Sequence, residues 1–108
     1  MPGTDETLTL ADFQKHIRAR YHAQDSVRGT PGTFMWLIEE IGELATTLQK
    51  VRGEGGATSG GSTQKELEGE FADVLAWLCT LANINDVDLA KAVREKYLTE
   101  DGGPTGVK

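Results

Sequence analysis

Two long runs of apolar residues repeat at helical spacing, and this repeat constrains the fold more than any other feature of the sequence. Apolar side chains recur every three or four residues from Phe34 to Val51, and again from Leu67 to Leu81. Such spacing places them on one face of an α-helix. The sequence has no alternating apolar and polar runs joined by a hairpin turn, the pattern that would indicate strands. The sequence therefore predicts an all-α domain in which these two helices pack together.

Start and stop signals predict four helices in total. Thr63 and Glu66 are spaced as a capping box, and Asp86 or Asp88 is placed to cap the last helix. Gly and Pro in DSVRGTPGT separate the first two helices. The helices are expected over about residues 10–24 and 33–51, from Thr63 to the segment NIND, and over LAKAVREKY.

The length of 108 residues indicates one domain. The Gly- and Ser-rich residues 52–63 predict a flexible loop, and residues 99–108 predict a loose tail. A domain of this size buries a modest share of its surface, so assembly into an oligomer would stabilise it.

Charge and composition narrow the partners and the location. The net charge is −6 and no basic run interrupts the acidic balance, which argues against binding a nucleic acid polymer. No apolar run is long enough for a membrane span, and the N-terminus has no signal-peptide pattern. The single cysteine, Cys79, lies in the apolar run VLAWLCTLA and is expected to be buried. These features predict a cytoplasmic protein.

Acidic pairs border the apolar faces of the two central helices. EEIGE places Glu40 and Glu43 three residues apart beside Glu39, and EFAD places Glu70 and Asp73 three residues apart. An i, i+3 pair lies on one side of a helix. If the apolar faces pack against each other, both pairs face the same side.

A group of carboxylates beside a core repels itself, and a cation removes the conflict. Oxygen ligands without Cys or His suit Mg²⁺ or Mn²⁺. A solvated acidic face remains the alternative for either pair alone. A di-iron bundle is not indicated, because no Glu-x-x-His pair occurs.

The runs FMWLIEEIGELATTLQK and ELEGEFADVLAWLCTLANINDVDLAKAVREKY resemble the MazG-like nucleotide pyrophosphohydrolases, whose hallmark is EExxE, a spacer and ExxD. The resemblance extends over about residues 10–97. It implies a four-helix all-α fold assembled as a homodimer or homotetramer. It also implies Mg²⁺-dependent hydrolysis of a nucleoside triphosphate to a monophosphate and pyrophosphate, through attack of water on the α-phosphorus.

The resemblance also implies roles for individual residues. Glu39 and Glu43 are the candidate catalytic residues, and Lys96 is the candidate phosphate contact. Some relatives carry an Asn and an Arg after that lysine, where this chain has Glu100 and Gly103. The implied metal ligands are Glu40, Glu43, Glu70 and Asp73.

Trp36 and Trp77 fall on the same side of their helices as the acidic pairs, and are candidates for stacking on a base or for packing. Two other functions stay open from the sequence. One is a phosphoribosyl-ATP pyrophosphohydrolase-like enzyme. The other is a non-catalytic helical module that binds a metal or a partner.

Overall fold

Helices account for most of the structure, a computed structural model that describes residues 7–52 and 63–100. The elements are α1 (Leu10–Arg52), α2 (Gln64–Ile84) and α3 (Leu89–Tyr97). The described residues contain no strand, which confirms the all-α class. No helix within these two stretches is long and apolar enough to cross a membrane. Most of the predicted loop at 52–63 and tail at 99–108 lies outside the described residues.

The structure describes three helical elements where four were expected, because the first two predicted helices meet at a kink at Gly29. There the backbone has φ 77° and ψ 178°, while helix continues on both sides. That conformation is open essentially to glycine alone. Pro31 fits the first turn after the kink, because its missing N–H has no helical acceptor there. The predicted break across DSVRGTPGT is thus confined to one residue, which divides α1 into an N-terminal limb (10–28) and a C-terminal limb (30–52).

The predicted caps of the later helices are confirmed. The backbone N–H of Glu66 donates to Thr63 Oγ1 at 3.1 Å, and the backbone N–H of Thr63 donates to Glu66 Oε1 at 3.2 Å. Asp88 caps α3 by accepting from the backbone N–H of Lys91 at 3.1 Å. Asp86 instead adopts a positive φ of 56° in the turn before α3.

Helix α2 packs antiparallel to the C-terminal limb of α1. Arg52 donates to Gln64 at one end, and Asn85 Nδ2 donates to Thr30 Oγ1 at 3.1 Å at the other. Leu37 of this limb is buried. Cys79 is fully buried, as predicted. The buried apolar side chains are those of Ile17, Leu37, Val51, Leu67, Cys79 and Ala82.

A second connection, here called the amide hub, consists of Gln14, Asn83 and the backbone of Val87 and Leu89. Gln14 Nε2 donates to Asn83 Oδ1 at 3.0 Å and to the carbonyl of Val87 at 2.7 Å. Gln14 Oε1 accepts from the N–H of Leu89 at 2.9 Å. The hub therefore joins the N-terminal limb of α1 to the end of α2 and the start of α3.

Part of the apolar face predicted from the sequence stays uncovered in a single chain. These side chains keep between 36% and 55% of their exposure although they repeat at helical spacing. The C-terminal limb of α1 and α2 each cover only part of the other's apolar face. The exposed members are Phe34, Ile41, Leu48, Phe71 and Leu78.

Candidate functional site

Three carboxylates converge where the C-terminal limb of α1 meets α2. Each of Glu40, Glu43 and Glu70 offers an oxygen, and these oxygens all lie within 4.8 Å of one another. Glu40 and Glu43 share a side of one helix because they are three residues apart. Antiparallel packing supplies Glu70 from the other helix. We call this group the carboxylate cluster.

The cluster is electrostatically strained. Desolvation raises the pKa of Glu40 to about 7, helped by a hydrogen bond with Glu43 and by the charges of Glu43, Asp73 and Glu70. Desolvation likewise raises the pKa of Glu70, with the charges of Glu43, Asp73 and Glu66 adding to it. Like charges this close disfavour ionisation. The cluster therefore attracts either protons or a cation.

Asp73 stands slightly apart from the other three acids. Its oxygens are not among those within 4.8 Å of one another, yet its charge contributes to the raised pKa values of Glu40 and Glu70. Helical spacing sets it one turn beyond Glu70. It is therefore close enough for a cation bound by the cluster to attract its carboxylate as well.

The donor set fits a hard divalent cation. Oε1 of Glu70 is buried and makes no hydrogen bond within the described part of the chain. A buried carboxylate oxygen without a partner is costly. An all-oxygen set suits Mg²⁺ or Mn²⁺ rather than a thiolate-seeking metal. A cation between Glu40, Glu43 and Glu70 would both pair this oxygen and relieve the repulsion.

Two candidate residues lie apart from the cluster. Glu39 is exposed and lines a surface depression of about 390 Å³ with Gly32, Met35 and Trp36. Lys96 is exposed on α3, with Nζ 5.7 Å from the ring centroid of Tyr97. The structure does not bring either side chain into the group of three converging carboxylates.

The two tryptophans meet one helical turn from the acids. Trp36 precedes Glu40 by four residues, and Trp77 follows Asp73 by four. Their ring centroids are 5.8 Å apart with an interplanar angle of 13°, a stacked pair. Trp36 keeps 47% of its exposure. The pair thus offers an aromatic surface beside the cluster.

Sequence reasoning missed a cleft lined by Trp77 of α2 and by the ion pair of Asp25 and Arg28. Asp25 is 3% exposed, and its Oδ1 accepts from Arg28 NH1 at 2.9 Å. A signal was present, because Asp25 continues the four-residue series of Phe13, Ile17 and Tyr21 along the predicted apolar face. An acid in such a series is a candidate for burial with a partner.

Fold and site together define an all-α protein with an all-carboxylate site between two long helices. The chain belongs to the MazG nucleotide pyrophosphohydrolase domain family, whose family model matches residues 30–98, more than half of the 108 residues. The match includes the whole carboxylate cluster and begins just after the kink at Gly29. Comparison with curated proteins finds no match to the chain. Family membership makes this the domain of a hydrolase that acts on nucleotides.

Proposed function

We propose that the protein is a Mg²⁺-dependent nucleoside triphosphate pyrophosphohydrolase that releases a nucleoside monophosphate and pyrophosphate. The observation that carries this proposal is the carboxylate cluster, in which Glu40, Glu43 and Glu70 bring oxygens within 4.8 Å of one another. The family match supports the reaction class. In this reaction the oxygen of water bonds to the α-phosphorus while the bond to the bridging α–β oxygen breaks.

Glu40, Glu43, Glu70 and Asp73 would hold the cation. When bound, Mg²⁺ supplies positive charge to the phosphates and lowers the pKa of a coordinated water. Mn²⁺ has the same preference for oxygen ligands. Glu43 is the exposed member of the cluster, which supports a second role for its carboxylate in orienting the attacking water. Catalysis of this kind depends on positioning and electrostatics.

Four further residues complete the proposal. Glu39 orients water or accepts its proton from the outer edge of the site, since it is exposed one residue before Glu40. Lys96 donates to a phosphate, supported by its charge and by its place within the matched segment. The stacked pair of Trp36 and Trp77 provides the aromatic surface against which the base packs.

The working unit is a homodimer or homotetramer in this proposal. Phe34, Ile41 and Phe71 keep 51%, 43% and 55% of their exposure. Large apolar side chains that cluster on a surface mark sites of protein association. A second copy of the chain would cover these side chains, which lie on the same two helices as the carboxylates.

The test is pyrophosphate release from a panel of ribo- and deoxyribonucleoside triphosphates with Mg²⁺. Glu43→Gln and Asp73→Asn should each reduce kcat/KM by about 10²-fold or more, because each removes charge that holds the transition state's cation. Glu68→Gln is the matched control, since this exposed glutamate of α2 lies outside the cluster. It should retain wild-type activity.

Two results would count against the proposal. Absence of pyrophosphate release across the whole panel would remove the nucleoside triphosphate reaction. Full activity in both Glu43→Gln and Asp73→Asn would remove the assigned metal ligands even if hydrolysis occurs.

A further inference from the structure

A cleft of about 380 Å³ lies between the N-terminal limb of α1 and α2. Its walls combine aromatic and polar groups, among them Tyr21, Asp25, Arg28, Trp77 and Thr80. Asp25 is 3% exposed and Thr80 is 5% exposed. Nearly all of the Asp25 carboxylate is thus withdrawn from solvent while it borders an open cleft.

Half of this carboxylate has no partner. Oδ1 accepts from Arg28 NH1 at 2.9 Å. Oδ2 is buried and makes no hydrogen bond to any described residue. Burial of an acceptor without a donor is unfavourable, and the penalty is larger for a charged group. A ligand that brings an N–H or O–H to Oδ2 would remove this penalty.

Arg28 is held in place from two sides. Its guanidinium carbon lies 5.0 Å from the ring centroid of Trp77, besides the bond to Asp25. Gly32 makes room for it, since a Cβ at that position would meet Arg28 Cγ at 2.9 Å. The arginine therefore fixes Oδ1 and leaves Oδ2 as the carboxylate oxygen without a donor in the described part of the chain.

The cleft adjoins the proposed catalytic site. Trp77 follows Asp73 by one turn of α2, and Thr80 lies three residues further, so the cleft wall begins roughly 5–10 Å along the helix axis from Asp73. Asp25 and Arg28 precede residue 30, where the family match begins. The family match therefore assigns nothing to either of them.

We infer that this cleft recognises an amino-bearing nucleobase, with Asp25 Oδ2 accepting from the exocyclic amine and Arg28 bracing the carboxylate. The inference rests on the proposed function for the nature of the ligand. Cytosine, adenine and guanine carry such an amine, whereas thymine and uracil present a carbonyl oxygen there. A carbonyl oxygen facing the carboxylate would leave Oδ2 unpaired and add repulsion.

Binding of free nucleosides without metal tests the inference separately from hydrolysis. The probes are matched pairs in which hydrogen replaces the amine: guanosine with inosine, adenosine with purine riboside, and cytidine with 2-pyrimidinone riboside. Fluorescence of Trp36 and Trp77 reports binding, because they are the only two tryptophans of the chain and Trp77 lines the cleft. In at least one pair the amino nucleoside should bind about 10-fold more tightly.

Asp25→Asn should abolish that preference. Arg28 keeps the amide oxygen as its acceptor, so the amide nitrogen takes the place of Oδ2 and presents a donor to the amine. Asp12→Asn makes the same change on the same limb, away from the cleft, and should keep the preference. If Asp25→Asn does not fold, the comparison of the matched nucleosides on the wild-type protein tests the inference by itself.

Equal binding within every pair, no binding of any nucleoside, or a preference that survives Asp25→Asn would each overturn the inference. Pyrophosphate release with no amine preference would refute this inference and leave the proposed function intact. Amine-selective binding without pyrophosphate release would support this inference and count against the proposed function.

Discussion

The amide hub and the carboxylate cluster both place polar side chains where helices meet, but only the hub satisfies them internally. In the hub, the Gln14 side chain makes three hydrogen bonds, and Asn83 also donates to the carbonyl of Gln14. In the cluster, Glu70 Oε1 has no partner among the described residues, and the neighbouring acids repel one another. The hub is thus complete within the chain, whereas the cluster needs something from outside.

This difference separates structural from functional polarity. A buried network with every group paired fixes how helices dock. A group of acids that destabilises its own ionised form is maintained at some cost to stability, and such perturbed groups concentrate at functional sites. Removing a hub amide should therefore lower the free energy of unfolding, whereas removing a cluster carboxylate should raise it in the metal-free protein.

The largest expected effect on stability is in the hub. Gln14→Leu removes three hydrogen bonds and leaves the buried Oδ1 of Asn83 and the partly buried N–H of Leu89 without their partner. The loss should be roughly 2–4 kcal/mol of unfolding free energy, measured by urea denaturation. Gln49→Leu, the same change at an exposed position of α1, should alter stability by less than about 0.5 kcal/mol. Equal effects would show that the hub does not hold the helices.

A cation should stabilise the protein through the cluster alone. At about 100 times its dissociation constant, Mg²⁺ should raise the unfolding free energy by about 2.7 kcal/mol. Thermal melts with and without Mg²⁺ at matched ionic strength measure this gain. Glu70→Gln should lose most of it, because an amide replaces one of the converging carboxylates.

Gln14→Leu provides the converse control for the cation. It should start from a lower melting temperature and still gain the full increment from Mg²⁺, because Gln14 is not one of the cluster acids and its hydrogen bonds go to the hub. A gain that survives in Glu70→Gln and disappears in Gln14→Leu would invert the comparison between the two regions.

The sequence predicted local features of this fold well. Helical spacing and capping chemistry act within a few residues, so the capping box of Thr63 and Glu66 and the cap at Asp88 are recognisable from residue types and spacing alone. The spacing of the acids also set which of them share a helix side. Whether Glu70 comes closer than Asp73 to Glu40 depends on how the two helices pack and on side-chain torsions, which the spacing does not specify.

Tertiary features were less accessible. The break between the two limbs of α1 is confined to one non-helical residue, Gly29, and a Gly–Pro segment is equally compatible with a longer break. Gln14, Asp25 and Asn83 are buried although residues of these types are mostly exposed. An apolar repeat also does not distinguish a face covered by its own chain from one such as Phe34 and Phe71 that remains exposed.

The smallest effect is the pH dependence of the metal-free protein, and it separates the two regions most directly because amides do not titrate. The pKa of Glu40 is about 7 in the folded chain against an ordinary 4.5, so the folded form binds more protons between these values. Its stabilising contribution is fully present below about pH 4.5 and is lost as the pH rises through 7.

Urea denaturation without metal should therefore show lower stability at pH 8 than at pH 6, by no more than about 1 kcal/mol because solvent screens a partly exposed group. Glu40→Gln has no proton to lose there and should reduce the decline, whereas Gln14→Leu should keep it at a lower baseline. Protons and Mg²⁺ compete for the same oxygens, so the gain from Mg²⁺ should be larger at pH 8 than at pH 6. A decline unchanged in Glu40→Gln would mean that the cluster is not the origin of the pH dependence, and the contrast with the hub would then rest on the metal response alone.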